Sequence, residues 1–249
     1  MTYSIVARDR VTGQFGIAVA SRFFAVGALV PHIRGGRCAV ATQAFVNPLW
    51  GVEGARRLAE GEDAPAVMAD FIARDGGQRQ RQCHMIDSSG VIAAHTGEEC
   101  IDWCGHTAGE GVSVAGNMLE GPEVIEATRA SFEANGDLPF ADRLLLAMRA
   151  GEEAGGDKRG RQSACLRIHR GEDYPWLDLR ADDHADPLTE LERLLAVARE
   201  RFIHVAETMA THENFSGMID RREIDERITT EEKRRLASGR PTRSFATQK

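Results

Sequence analysis

The sequence has no long apolar run: nothing in its 249 residues approaches the roughly 18 consecutive apolar positions that a membrane-spanning helix needs. Met1 to Asp9 also lacks the basic-then-apolar plan of an export signal, so a cytoplasmic protein without a membrane partner is expected. Excess positive charge is missing too. The net charge is −7, which argues against general affinity for nucleic acid or anionic lipid. Arginines do crowd the C-terminus from Arg221 to Arg243, but Asp and Glu are interleaved up to Glu232, and a solvated tail is expected there. No GxSxG elbow and no P-loop lysine motif is present, so the α/β-hydrolase and nucleotide-triphosphatase readings lose support. Gly105-His106-Thr107-Ala108-Gly109 does not fit the dinucleotide fingerprint. The five cysteines form no CxxC and are odd in number, which speaks for reduced thiols rather than a disulfide framework. Cys83, His84, Cys100, Cys104 and His106 are the residue types that zinc binds, but their spacing is loose. Buried thiols are expected instead, with no metal and no cofactor.

What is present is an ordinary globular composition, 42% hydrophobic and 28% charged, which excludes a mainly disordered chain. Tyr3 to Asp9 and Phe15 to Ser21 are β-prone runs around Thr12-Gly13 and read as a hairpin. Arg37 to Phe45 is a third strand candidate. Helices are expected over Val52 to Glu60 and Ala64 to Arg74, then a second hairpin over Arg81 to Ile86 and Val91 to His95. Val112 to Gly116 is a short strand, and Gly121-Pro122 opens a helix reaching about Ala134. Leu138 to Gly151 is amphipathic, Ser163 to Ile168 and Leu177 to Arg180 are late strands, and Asp186-Pro187 caps a long helix. This order of strand pairs and helices favours two layers of sheet covered by helices over a parallel βαβ series. A domain over residues 1–211 is expected, followed by a helical or partly disordered tail over 212–249.

Four places could carry chemistry. Thr2 becomes a free N-terminal threonine once Met1 is trimmed, and an α-amino group titrating at roughly pH 7.7–8.0 can serve as base to its own hydroxyl. Ser4 is a competing hydroxyl, but alternation along a strand puts it on the face of Thr2, where it can orient Thr2 instead. The run Gly155-Gly156-Asp157-Lys158-Arg159-Gly160-Arg161-Gln162-Ser163 joins turn-permitting glycines to cations suited to a carboxylate; the same run also reads as a self-neutralising solvated turn. Asn117, in Gly116-Asn117-Met118-Leu119, can donate to a developing oxyanion or serve as an ordinary helix cap or turn residue. His95 and His184 lie beside polar residues without metal-ligand spacing.

Several of these segments together resemble the DUF1028 family, whose fold is similar to that of N-terminal nucleophile (Ntn) hydrolases. They are Thr2 to Asp9, Gly16 to Ser21, Ala25-Val26-Gly27, Ala39 to Ala44, His95-Thr96-Gly97, Gly116 to Leu119, Gly155 to Ser163 and Asp182-Asp183-His184. The resemblance runs from residue 2 to about 200, with the run from Asp157 to Ser163 as its most specific part. It implies an α+β fold, a four-layer αββα sandwich, with a C-terminal extension. It also implies an amide hydrolase with Thr2 as nucleophile, for which Asn117 or a backbone N–H is the expected oxyanion donor. Ser4, Ser21, Arg34, Thr42, Gln43, His95, Asp157, Lys158, Arg159 and Arg161 are the expected substrate-binding residues. The lysine that proteasome-type relatives carry on the third strand is absent; His32 to Val40 offers Arg34 and Arg37, which cannot act as bases. A small-molecule or short-peptide substrate and a homo-oligomer are expected, with cell-wall peptide amides among the substrates the resemblance suggests. The alternative is a non-catalytic binding protein on the same scaffold.

Overall fold

The computed structural model describes residues 2–246. Its elements alternate in the order that the residue pattern dictates. Strands β1 (Thr2–Arg8) and β2 (Phe15–Ser21) form the first hairpin, with Thr2 opposite Ser21 and Arg8 opposite Phe15. Strands β3 (Pro31–Arg34) and β4 (Cys38–Ala44) form the next. Helix α1 (Pro48–Ala59) starts where Asn47 accepts from the Leu49 N–H at 3.1 Å, and α2 (Ala64–Arg74) where Asp63 accepts from Ala66 at 2.8 Å; each has proline in its first turn. A third hairpin, β5 (Arg81–Ile86) and β6 (Ile92–Thr96), precedes a fourth, β7 (Trp103–Gly109) and β8 (Val112–Leu119). Helices α3 (Glu123–Ala134) and α4 (Phe140–Glu153) lead into strands β9 (Ser163–His169) and β10 (Leu177–Ala181). Helices α5 (Pro187–Glu200), α6 (Phe202–Ala206) and α7 (Arg221–Ala237) complete the described chain.

The strands form two antiparallel sheets. One has six strands in the order β10-β9-β2-β1-β8-β7 and the other has four, β3-β4-β5-β6. This is a mixed α+β fold with seven α-helices among the described residues. Because side chains alternate along a strand, each sheet buries two different faces. On β1, Tyr3, Ile5 and Ala7 join one apolar cluster with Phe132, Leu144, Met148, Leu191 and Leu195 from α3, α4 and α5. Val6 points the other way, into a cluster holding Ile17, Val19, Ile33, Ala39, Ala41 and Ile86 from both sheets. The opposite face of β4 and β5 (Cys38, Val40, Cys83, Met85) packs on Trp50, Leu58, Val67 and Phe71 of α1 and α2. The approach of α1 to β3 is close: a Cβ at Gly51 would sit 2.1 Å from the His32 ring, so glycine is required there.

Helix α7 stands apart in composition. Its cap is Asp220, which accepts from the Arg222 N–H, but of its residues only Ile228 is buried. Side-chain ion pairs such as Arg227–Glu223 at 2.6 Å and Arg234–Glu231 at 2.8 Å run along it.

Candidate functional site

The end of β1 that carries Thr2 is enclosed on both sides, since β2 and β8 pair with β1 and place Ser21 and Asn117 opposite Thr2. Alternation puts Thr2 and Ser4 on the face of Val6, toward the other sheet. There the strands facing β1 contribute Gln43 from β4 and Gln82 and His84 from β5 in place of apolar residues. The Thr2 hydroxyl lies 3.0 Å from that of Ser21, and the residue is 8% exposed. Its carbonyl is approached by two side-chain amides, Asn117 Nδ2 at 3.4 Å and Gln43 Nε2 at 3.5 Å.

Behind Thr2 the polar groups form one buried, internally satisfied network whose donor directions can be deduced. Gln82 Nε2 faces the carbonyls of Gly116 at 2.8 Å and Gly105 at 3.1 Å, which can only accept, and it also donates to Thr96 Oγ1 at 2.9 Å. Its Oε1 therefore receives Gln43 Nε2 at 2.8 Å and Asn117 Nδ2 at 2.9 Å. Gln43 Nε2 likewise faces the Ala115 carbonyl at 3.2 Å, which leaves Gln43 Oε1 as acceptor for the Ser4 hydroxyl at 2.7 Å. Ser4 has one proton and spends it there. Its 2.8 Å contact with His84 Nε2 must then be a hydrogen bond donated by the imidazole, and His84 Nδ1 accepts from Ser113 Oγ at 3.0 Å. His84 is thus held as the neutral Nε2–H form. It cannot take the Ser4 proton in this arrangement, so Ser4 is not primed as a nucleophile.

Burial enforces the same protonation state. It depresses the His84 pKa to about 3, with His106 a smaller contributor, and that of His169 to about 4; burial lowers His32 as well. The sign is that of a suppressed proton. Below the ordinary histidine pKa the unfolded chain takes up protons that the folded protein refuses, so stability falls as pH drops from about 6.5 toward the folded values. Between pH 6.5 and 5, above most carboxylate titration, each such histidine contributes up to about 1.4 kcal/mol of lost stability per pH unit. Denaturant unfolding at stepped pH checks this: the slope in that window is expected to be shallower for His84→Gln.

Backbone strain gathers at the same end of the sheets. The non-glycine residues at positive φ among those described are Ala25 (51°), Ala44 (68°), Asp102 (56°) and Met118 (56°). Ala44 directly follows Gln43, and Met118 directly follows Asn117. Ala25 lies a short loop beyond Ser21. Strain of roughly 1–3 kcal/mol per residue persists only where surroundings over-determine it, and it collects at functional sites. Ala44→Gly is expected to stabilise the protein by about 0.5–1 kcal/mol, because relief of the left-handed penalty exceeds the entropy glycine adds to the unfolded chain. Thermal unfolding reads this out; a lower melting temperature would mean that Ala44 is not strained.

The loop between α4 and β9 reaches across this end. Asp157 forms an isolated bridge with Leu119 at the end of β8, while its carboxylate accepts from the Arg22 N–H at 2.8 Å, just beyond β2, and from Arg159 N–H at 2.8 Å. It therefore ties together the two strands that flank β1, past Thr2. Gly155, Gly156 and Gly160 provide the positive φ that the loop needs. Lys158 is half-exposed and 4.0 Å from Asp102, and Arg159 Nη2 lies 3.4 Å from the Arg22 carbonyl. Arg161 turns away, pairing with Glu152 and, at 3.4 Å, with Asp186.

The structure thus brings Thr2, Ser4, Ser21, Gln43 and Asn117 together and sets Asp157, Lys158 and Arg159 in the loop that crosses this end of the sheet. It does not bring Arg34, Thr42 or His95 to them. Arg34 pairs with Asp173 at 2.9 Å, beyond the end of β9 where His169 lies opposite Phe15, at the far end of the strands from Thr2. Thr42 lies on the α1 side of β4, donating to the Asn47 carbonyl at 3.2 Å. His95 packs against Trp50 with tilted rings 5.7 Å apart and donates to the Gln78 carbonyl at 2.8 Å. Sequence reasoning missed Gln82, His84 and Ser113 as members of the network. The available signal was a polar residue at alternate positions of strands whose other positions are apolar. The thiol and imidazole candidates are separated by alternation too: Cys83 and His84 leave β5 on opposite faces, and no group of three or more His, Cys, Asp or Glu among the described residues could hold a metal. The trimming of Met1 falls outside the described residues.

Residues 2–191 match the profile of DUF1028, a family of unknown function. No curated protein matches the chain. Among solved structures, protein SPO2555 from Silicibacter pomeroyi, a DUF1028 protein, superposes with a TM-score of 0.80 at 30% identity, covering 88% of this chain and 99% of its own. Anbu (ancestral beta-subunit) from Yersinia bercovieri gives a TM-score of 0.38 at 12% identity, covering 80% of this chain and 97% of that one.

Proposed function

This chain belongs to DUF1028, a family of unknown function, and from that starting point we propose that it is an N-terminal nucleophile hydrolase cleaving an amide bond through Thr2. The observation that carries the reading is the setting of Thr2: a hydroxyl 3.0 Å from Ser21, on a strand end pinned between two neighbours, backed by a satisfied polar network and ringed by strained backbone. The three apolar clusters support arranging the two sheets face to face between helices, the four-layer αββα order in which such nucleophiles sit at a strand terminus.

In this reading the free amine of Thr2, released by loss of Met1, accepts the proton of Oγ1, directly or through water. Oγ1 then bonds to the amide carbonyl carbon, and the C–N bond breaks as the proton passes to the departing amine. Water cleaves the resulting ester and restores Thr2. In this reading Asn117 Nδ2, bonded to Gln82 at 2.9 Å, trades its long 3.4 Å contact with the Thr2 carbonyl for the oxyanion. Lys158, 4.0 Å from Asp102, and Arg159, 3.5 Å from Asp157, are the cations of the crossing loop that suit a substrate carboxylate, and Arg161 is paired with Glu152 and Asp186. Ser4 and His84 orient β1 instead of reacting.

The test is an intact mass spectrum of untagged protein before and after exposure to a β-lactone that acylates N-terminal threonines. Loss of Met1 together with a single adduct that is absent from Thr2→Ala is the expected result. Retained Met1 would remove the base and overturn the mechanism.

A further inference from the structure

A cavity of about 1210 Å³ lies far from Thr2, between helices α4 and α5 and the chain from α7 onward. It is larger than the roughly 300–1,000 Å³ of most small-molecule sites. Its floor is apolar, made by Leu138, Leu145, Leu146, Leu195 and Ile203. The helix that spans it cannot fill it, because α7 has one buried residue and polar or charged side chains nearly throughout. Leu138 and Leu146 are consequently left 40% and 41% exposed beneath it.

The charges on the wall are unevenly matched. Asp142 is held by Arg199, Glu192 by Arg149 at 2.9 Å, and Glu231 by Arg234 at 2.8 Å. Glu200 accepts from Thr242 Oγ1 at 2.6 Å and from the Arg243 N–H at 2.8 Å. Arg235, Arg240 and Arg243 line the same space, and none of them has a carboxylate within 4.0 Å among the described residues, although Arg240 is near enough to help lower the Glu231 pKa. Arg235 and Arg240 reach only a main-chain carbonyl and the Ser238 hydroxyl. His204, on the same wall, has a buried Nε2 with no hydrogen-bond partner among the described residues.

We propose that this chamber binds a single-chain anionic amphiphile, a free long-chain alkyl carboxylate. The alkyl chain lies on the leucine floor, where burial of apolar surface drives association, and the carboxylate sits among Arg235, Arg240 and Arg243. A folded partner is the poorer fit, because the chain's own helices bound the space on both sides. Inorganic phosphate alone would leave the apolar floor wet. The wall from Glu192 onward lies beyond residues 2–191, whereas Leu138 to Leu146 fall within the family match.

Isothermal titration of the full chain with hexadecanoate, below its critical micelle concentration, tests this, with hexadecanol and acetate as separate titrants. Saturable binding of the carboxylate is expected, with acetate silent and the alcohol about tenfold weaker or worse. Leu146→Glu, on an exposed position, should abolish binding, and Arg235→Glu with Arg240→Glu should weaken it about tenfold or more. Arg56→Glu with Arg79→Glu, on distant exposed arginines, makes the same charge change and should leave binding intact. Equal binding of the alcohol, unchanged binding in Leu146→Glu, or equal weakening by the distant pair would each overturn the proposal. So would no binding at all, in particular if sedimentation then showed self-association abolished by Leu146→Glu, which would make the groove a contact between copies.

Discussion

Thr2→Ala should leave a folded protein that turns over no amide. In the proposed mechanism the amine and the hydroxyl of one residue supply base and nucleophile, so removing Oγ1 removes the bond-forming atom itself, and a loss of about a thousandfold or more is expected on any amide from a screening panel that the parent cleaves. The structural cost is small by comparison. Thr2 Oγ1 is hydrogen-bonded to Ser21, and loss of one such bond is worth about 1 kcal/mol. Thr2→Ser should recover part of the rate, because it keeps the hydroxyl. The informative contrast is Ser4→Ala. Ser4 is fully buried and its proton is committed to Gln43, so its removal strands Gln43 Oε1 and the His84 Nε2–H and destabilises the protein by about 1–3 kcal/mol while sparing the nucleophile. Turnover that survived in Thr2→Ala but vanished in Ser4→Ala would reverse the assignment.

The largest stability effect is expected at a residue that performs no chemistry. Gln82 is fully buried and its amide is saturated: Oε1 accepts from Gln43 and Asn117, and Nε2 donates to Thr96, Gly105 and Gly116. Gln82→Met keeps the volume and deletes both ends of that junction. It takes one hydrogen bond each from two side-chain amides, two main-chain carbonyls and the Thr96 hydroxyl in a dry interior, a loss of about 3–5 kcal/mol after relaxation. For a chain of this size that lowers the melting temperature by about 10 °C. Gln80→Leu is the control, since Gln80 reaches only the exposed Glu99 at 3.1 Å and should move stability by no more than about 0.5 kcal/mol. A shift in Gln82→Met no larger than in Gln80→Leu would show that the network is not a structural junction.

Much of the fold was legible because its strands and caps carry strong local signals. The first hairpin, the hairpin over β5 and β6, the late strands and the Asp186-Pro187 helix start all follow from alternation and capping chemistry. Strand β3 was missed: at four residues, beginning with proline, it is too short to show alternation. Strand β7 was missed because it is an edge strand of Trp, Cys, Gly, His and Thr, half-exposed along its length and held by its pairing with β8. Helix α1 begins earlier than expected because the Asn47-Pro48 start was not used. The candidate site was legible where residues share one strand, as with Thr2 and Ser4. It was illegible where register between strands decides, since nothing local to Thr42 and Gln43 says which of the two faces Thr2.

The central position of β1 has a consequence for how the molecule comes into being. Its two sheet neighbours are β2, nearby in sequence, and β8, whose Asn117 is separated from Thr2 by most of the first half of the chain. During synthesis the first strand can pair with β2 at once, but its other edge stays open until β8 has left the ribosome, and such non-local pairing is slow. Until then the N-terminal segment is within reach of a processing peptidase; afterwards Thr2 is 8% exposed and closed in on both sides. Maturation of the proposed nucleophile is therefore a race between an aminopeptidase and sheet closure. Protein refolded from a Met1-retaining form should remain a poor substrate for trimming, however long the two are incubated together.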